Sequence, residues 1–400
     1  MNQKLFWSLF WPTLLGTMVG VAGVIFKFQL NLNPPPPLSP LGEMTDVKAR
    51  LGSDKQVIGF LPYWLIKDAK SPFEQFNQVI YFGVTLSDEG KIMTKINSQE
   101  VELGWYTLQR ASTQALLKQL QDQGTKIILA VTAFDNQTID KLIGQPEIQQ
   151  KAIVEVAAEV KQYDFDGVNI DFEYSLDKPF MADSGTLLAQ FIKELRKRLI
   201  KDNPAATVSV DIYVNGLILD KPYDLVALNQ AADQIIIMAY DFHTPDSATA
   251  GPIAPIRSTD STSKSIVDGL QAVIKKGVAM NRLVLGVPLY GYEWQTTSSD
   301  FKAQTAPGSG VLATYKRIMA LLKEKGLSAA WDEVSLSPWL SYQIGGKTQQ
   351  IYFDNEQSIA LKLQLIDQLK MQGVAFWALG YEGNNSGIWE VVKTWQKKQS

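Results

Sequence analysis

The chain has 400 residues, 46% of them hydrophobic and 20% charged, and carries a net charge of −3 with basic and acidic residues nearly balanced. That composition supplies a large apolar core, and the lack of any basic block or stripe argues against nucleic acid as a partner. With no cysteine and a single histidine, His243, disulfides, thiol nucleophiles and multi-histidine zinc sites are excluded, so chemistry must run on carboxylates, Tyr, Lys and Ser, and no cofactor or metal is expected.

The first predicted element is apolar. Lys4 and Lys27 bracket an uncharged stretch, 5–26, which as a helix would span roughly 33 Å, enough to cross a bilayer. A cleaved signal peptide usually has an apolar core of about 7–15 residues followed by small residues at the cleavage site. This stretch is longer and lacks that site, so 1–27 reads as an uncleaved transmembrane anchor, with a cleaved signal sequence as the alternative. The run Asn33-Pro-Pro-Pro-Pro-Leu-Ser-Pro40 then favours a stiff polyproline II spacer within a linker over 28–54. The globular domain is expected over 55–398.

From Lys55 the chain alternates short apolar runs with longer amphipathic segments. The runs are 57–64, 79–86, 126–134, 167–174, 207–214, 234–242, 282–290 and 373–379, rich in Val, Ile and aromatics as buried parallel strands are. Segments 113–123, 148–162, 186–199, 263–276 and 358–371 show apolar spacing near three and four, the helical period. Eight such strands with intervening helices predict an α/β fold, a (β/α)8 TIM barrel. The rival, an open doubly wound sheet, would need a glycine-rich dinucleotide loop that the sequence lacks. Between the seventh and eighth strands the interval is too long for one helix. A helical pattern at 312–324 and strand-like pieces at 331–342 and 349–354, with Gly345-Gly346 as a turn, predict a small α+β insertion at about 295–350.

The fourth run, Asp166-Gly-Val-Asn-Ile-Asp-Phe-Glu173, carries the chemistry. Alternate residues of a strand share a face, so Asn169, Asp171 and Glu173 point one way and Val168, Ile170 and Phe172 the other. Two carboxylates and an amide on an inward face are costly unless paired or functional, and barrel enzymes place their sites at the C-terminal strand ends. Adjacent carboxyls resist joint ionisation, which lets Glu173 keep a proton while Asp171 loses its own. Taken alone, the strand is equally an acidic end capped by a basic residue. Met238-Ala-Tyr-Asp241 at the end of the sixth run adds Tyr240, and the eighth adds Trp377 as a flat apolar floor. Tyr290, in Gly286-Val-Pro-Leu-Tyr-Gly-Tyr-Glu-Trp294, adds a further aromatic. Paired acids, a hydroxyl donor and aromatic platforms suit carbohydrate better than phosphate or nucleotide.

At these residues the chain resembles glycoside hydrolase family 18, the chitinase-like family, over about 55–397. The family's fourth-strand Asp-Gly-x-Asp-x-Asp-x-Glu is matched by 166–173, its sixth-strand Met-x-Tyr-Asp by 238–241 and its eighth-strand Trp by Trp377. One position departs: Asn169 stands where the family has Asp. That variant, together with Gly251-Pro-Ile-Ala-Pro255, is similar to the bacterial spore-cortex and peptidoglycan-directed branch. The resemblance implies hydrolysis of β-1,4 linkages in N-acetylglucosamine polysaccharide, chitin or peptidoglycan, by a substrate-assisted retaining mechanism. It implies Glu173 as general acid/base, Asp171 and Tyr240 as its catalytic partners, and Asn169, Met238, Asp241 and Trp377 as substrate-binding residues; Phe60 and Tyr290, at strand ends, join these as candidate sugar platforms, with core packing as the equal alternative. His243, Tyr63, Trp64 and Trp339 are weaker candidates, each as readily explained by packing or a loop hydrogen bond. Combined with the anchor, the resemblance implies a single-pass protein of a bacterial membrane with its catalytic domain outside the cytoplasm, or a secreted protein if the segment is cleaved. A chitinase-like protein that binds glycan without cutting it, and a structural envelope protein, are the alternatives. Retention of Glu173 weighs against the former.

Overall fold

The computed structural model describes residues 55–219, 221–258 and 264–398. The anchor and proline-rich spacer assigned to 1–54 lie outside these residues. Among the described residues no helix is long and apolar enough to cross a membrane.

The strands are β1 (Gln56–Pro62), β2 (Gln78–Thr85), β3 (Lys126–Ala133), β4 (Gly167–Phe172), β5 (Thr207–Tyr213), β6 (Gln234–Met238), β7 (Leu283–Pro288), β8 (Tyr290–Thr296), β9 (Val311–Thr314), β10 (Ala330–Asp332), β11 (Ser337–Ile344), β12 (Lys347–Phe353) and β13 (Gly373–Trp377). The helices are α1 (Leu103–Leu108), α2 (Ala111–Asp122), α3 (Asn136–Gly144), α4 (Pro146–Gln162), α5 (Ser184–Asp202), α6 (Val214–Ile218), α7 (Leu225–Ala231), α8 (Ile266–Lys275), α9 (Tyr315–Lys325), α10 (Glu356–Gln368) and α11 (Gly387–Lys397). Strands β1 to β7 and β13 close into a barrel in the order β1-β13-β7-β6-β5-β4-β3-β2, and every adjacent pair is parallel.

Both faces of these strands are covered, which is why they read as unbroken apolar runs. Ile58, Ile80, Ile128, Ile236, Val284 and Ala375 fill the barrel interior. Outward residues meet the helices: Phe172 lies 5.5 Å from Phe191 of α5, ring to ring, and α5 buries Leu188, Phe191, Ile192, Leu195 and Leu199 along one stripe. Strands β4 and β5 break the apolar lining, placing Asn169, Asp171, Ser209 and Asp211 in fully or nearly fully buried positions.

The insertion is a five-stranded antiparallel sheet, β10-β11-β12-β8-β9, with helix α9. The apolar run 282–290 is therefore not one strand. It breaks at Leu289, and Tyr290 begins β8 of the inserted sheet. The sheet runs from Tyr290 to Phe353 and has five strands where the sequence suggests two. Its turn between β11 and β12 uses Gly345 and Gly346 at φ 57° and 73°, the left-handed conformation that tight hairpins require. Its core is aromatic: Trp339 stacks on Tyr352 at 5.6 Å and 13°.

Where the chain returns to the barrel, Lys362 of α10 is fully buried and pairs with Asp354, itself almost fully buried. Asp354 also accepts from Ser358 Oγ at 2.6 Å. Removing one partner of a buried pair strands the other charge. Lys362→Met should lower unfolding free energy in urea by about 3 kcal/mol, and adding Asp354→Asn should recover a substantial part. Equal losses in the single and double variants would show that the pair is not what matters at this junction.

Candidate active site

The residues of 166–173 divide between fold and chemistry. Asp166 Oδ2 accepts from the Ile127 amide at 2.8 Å and from Gln121 Nε2 at 3.2 Å, tying β4 to β3 and α2. Gly167 lies so close to β5 that a Cβ there would sit 2.1 Å from the Thr207 carbonyl oxygen. These two set the position of β4. Asn169, Asp171 and Glu173 then follow inward along it.

A cavity of about 540 Å³ opens at the C-terminal ends of the strands. Asp171, Glu173, Tyr240, Met238, Asp241, Trp377, Tyr290 and Phe60 all line it. Of the nine catalytic and substrate-binding residues expected from the sequence, Asn169 alone does not: it is fully buried beneath the cavity. Its amide donates to Ser209 Oγ at 3.1 Å and to Asp211 Oδ1 at 2.7 Å, so it supports its neighbours and does not face a ligand.

Trp377 closes the floor. Its ring meets Phe60 at 5.6 Å, Phe82 at 4.8 Å and Trp64 at 6.4 Å, which fixes its orientation by aromatic packing. Tyr240 fits because position 286 is glycine: a Cβ there would stand 2.6 Å from the Ile237 carbonyl oxygen and 3.2 Å from the Tyr240 ring. Asp241 has φ 60° and accepts from the hydroxyls of Tyr290 and Tyr292, the latter at 3.0 Å. His243 does not line the cavity. Its Nδ1 pairs with the Pro252 carbonyl at 2.8 Å and its ring packs on Gly251, so it anchors a loop. Trp339 belongs to the insertion core, and Trp64, 45% exposed, stands beside Trp377 at the rim.

Two site residues come from β5 and carry no motif of their own. Asp211 lines the cavity floor and Tyr213 hydrogen-bonds Glu173. The alternation Ser209, Asp211, Tyr213 in Thr207-Val-Ser-Val-Asp-Ile-Tyr213 marks one polar face on an otherwise apolar strand, and that was the available signal.

Burial, reinforced by the charges of Glu173 and Asp211, pushes Asp171 well above the ordinary carboxylate range. Asp211 is pushed up by burial and by Glu173, against the hydrogen bond from Asn169. Glu173 is also raised by burial, with Asp241 adding to the rise and the Tyr213 hydroxyl opposing it. Burial and the surrounding carboxylates likewise raise Tyr240, which stays a hydroxyl donor. Carboxyls raised in this way keep their protons to higher pH than free ones, and such a cluster can deliver one. Among the described residues, Asp171 Oδ1 and Asn169 Oδ1 are buried and have no hydrogen-bond partner.

The Tyr213 hydroxyl stabilises ionised Glu173, so its removal disfavours the carboxylate and raises the pKa. Tyr213→Phe should move the titration midpoint of the Glu173 carboxyl carbon, followed by NMR, to higher pH. A midpoint that stays put or falls would show that the phenol does not tune this carboxyl.

The sequence model of the glycosyl hydrolases family 18 matches residues 56–382. Nod factor hydrolase protein 1 of Medicago truncatula is 27% identical over 284 residues, which cover 66% of this chain and 70% of the relative. The Group IV chitinase of Ostrinia furnacalis, solved in complex with allosamidin, superposes with a TM-score of 0.74 at 18% identity, covering 87% of this chain and 100% of that one. The spore cortex-lytic enzyme SleL of Bacillus cereus gives 0.66 at 16% identity, covering 85% of this chain and 74% of that one. These two structures share the fold. The family match runs through all eight barrel strands and every residue lining the cavity, and the chain belongs to family 18 of the glycosyl hydrolases.

Proposed function

We propose that this chain hydrolyses β-1,4 linkages in polysaccharide containing N-acetylglucosamine, by a substrate-assisted retaining mechanism with Glu173 as general acid and base. The observation that carries the reading is the pairing of Glu173, its pKa raised by burial, with Asp171 in one aromatic-floored cavity, where Asp171 Oδ1 is buried without a partner. An acetamide N–H is the donor that oxygen lacks. Glu173 protonates the glycosidic oxygen while the substrate's own acetamido oxygen attacks the anomeric carbon. Asp171 orients the acetamide and stabilises the positive charge that develops on it. Tyr240 donates to the acetamido carbonyl, Asp241 stands beside it, and Trp377 with Phe60 supports the sugar ring. Glu173 then takes a proton from the water that opens the cyclic intermediate.

Four carboxylic residues line the cavity and no basic one does. That charge favours an uncharged N-acetylglucosamine at the reacting position over a sugar bearing its own carboxylate, which would meet like charge. Chitin oligosaccharides and the N-acetylglucosamine units of peptidoglycan both satisfy this. Asn169 and 251–255 favour the peptidoglycan-directed branch, whereas the Medicago relative is named as a Nod factor hydrolase. We further propose that 5–26 tethers the barrel to the outer face of a bacterial membrane, with the proline-rich spacer holding it clear, which places a cell-wall glycan within reach.

Acid–base catalysis contributes about 10²–10⁴-fold in rate. Glu173→Gln should therefore lower turnover of chitooligosaccharides or purified peptidoglycan by about that factor with unchanged melting temperature. Chromatography of the products would give the sugar released and the cutting mode. Near-normal turnover in the variant would remove Glu173 from the role.

A further inference from the structure

We infer that Asp211 of β5 is a positioning residue for this reaction, supplying from the neighbouring strand the carboxylate that β4 lacks at Asn169. The inference rests on the function proposed above and deepens it.

Asn169 pairs in register with Ser209 across the β4–β5 ladder, and Asp211 is the next inward residue along β5. The two side chains meet directly: Asn169 Nδ2 donates to Asp211 Oδ1 at 2.7 Å. Asp211 is 3% exposed, and the other strands fill this part of the barrel interior with Ile58, Ile80, Ile128, Ile236 and Val284. A carboxyl buried there is costly without a role or a partner. Asn169 is the partner. An aspartate at 169 would set two like charges at that distance, whereas an amide donates to the charge. Positions 169 and 211 therefore hold one carboxylate between them, carried by β5.

The groups facing Asp211 are Asp171 and Glu173 of β4, Tyr213 of its own strand, Tyr223 beyond it, and Tyr240 with Asp241 after β6. None is basic. Ionisation of Asp211 and ionisation of the Asp171–Glu173 pair therefore oppose each other with no cation to offset them, so the three carboxyls keep their shared protons to higher pH. In the reaction this coupling keeps a proton available to the glycosidic oxygen while Asp171 turns to the acetamide.

The test is a charge relocation. Asp211→Asn in the full chain should lower kcat on chitooligosaccharides by about a hundredfold with a smaller change in KM. Removing a negative neighbour lowers the pKa of the remaining carboxyls, so the alkaline limb of kcat/KM should move down by about one pH unit. The exchange Asn169→Asp with Asp211→Asn returns the carboxylate to β4 and should restore most of kcat and the position of the limb. A purely structural role predicts a lower melting temperature, an unmoved limb and no rescue, and that result would overturn the inference. So would an exchange variant no better than Asp211→Asn alone. The Glu173 carboxyl-carbon titration, which needs no substrate, should fall with the limb in Asp211→Asn. Inactivity of the unmodified chain on every such glycan would sink the proposed function, and an unmoved titration midpoint would then sink the role of Asp211 separately.

Discussion

Holding carboxyl groups inside an apolar barrel is the constraint around which this molecule is built. Water would stabilise their charges, and the barrel interior does not. The structure meets that cost in three ways: raised carboxyls keep their protons to higher pH, an amide stands in place of one acid, and tyrosine hydroxyls supply hydrogen bonds. Each of these solutions also serves acid–base chemistry. The aliphatic residues of the remaining strands give the carboxyls their low-polarity surroundings, so the core and the catalytic machinery are one construction.

Much of this was legible in the chain itself. Buried parallel strands declare themselves by apolar runs of a given length, and helices by their period, because both follow from which faces are covered. The cavity residues on β4, β6 and β13 stand in spacings with a chemical logic. What escaped notice has physical reasons. Asp211 and Tyr213 sit on a strand whose polar face is only four residues long, and nothing local says which carboxylate it will meet. Asn169 reads as a cavity residue by alternation, yet the neighbouring strand covers it, since alternation gives direction and not depth. The break at Leu289 hides in a continuous apolar run because the barrel core and the insertion core are equally apolar.

The aromatic residues show the same division. Trp339 and Trp377 are the same residue type with opposite employment. One stacks inside the inserted sheet, and the other is braced by Phe60, Phe82 and Trp64 so that it presents to the cavity. Position among neighbours, which is a property of the closed barrel, decides between them. Exposed Phe134, Leu176 and Leu312 continue the apolar surface from the cavity towards solvent, as a ligand longer than one sugar would require.

The break at Leu289 couples two parts of the molecule. A single residue separates β7 of the barrel from β8 of the insertion, and the first and third residues of β8, Tyr290 and Tyr292, both grip Asp241. Leu289 itself is clamped, its amide donating to the Trp377 carbonyl and its carbonyl accepting from the Tyr315 amide of α9. The inserted sheet and Trp377 therefore share one point of attachment at Leu289. A displacement of β8 would carry through Leu289 to Asp241 and Trp377 together, so the insertion and the cavity floor keep a common register.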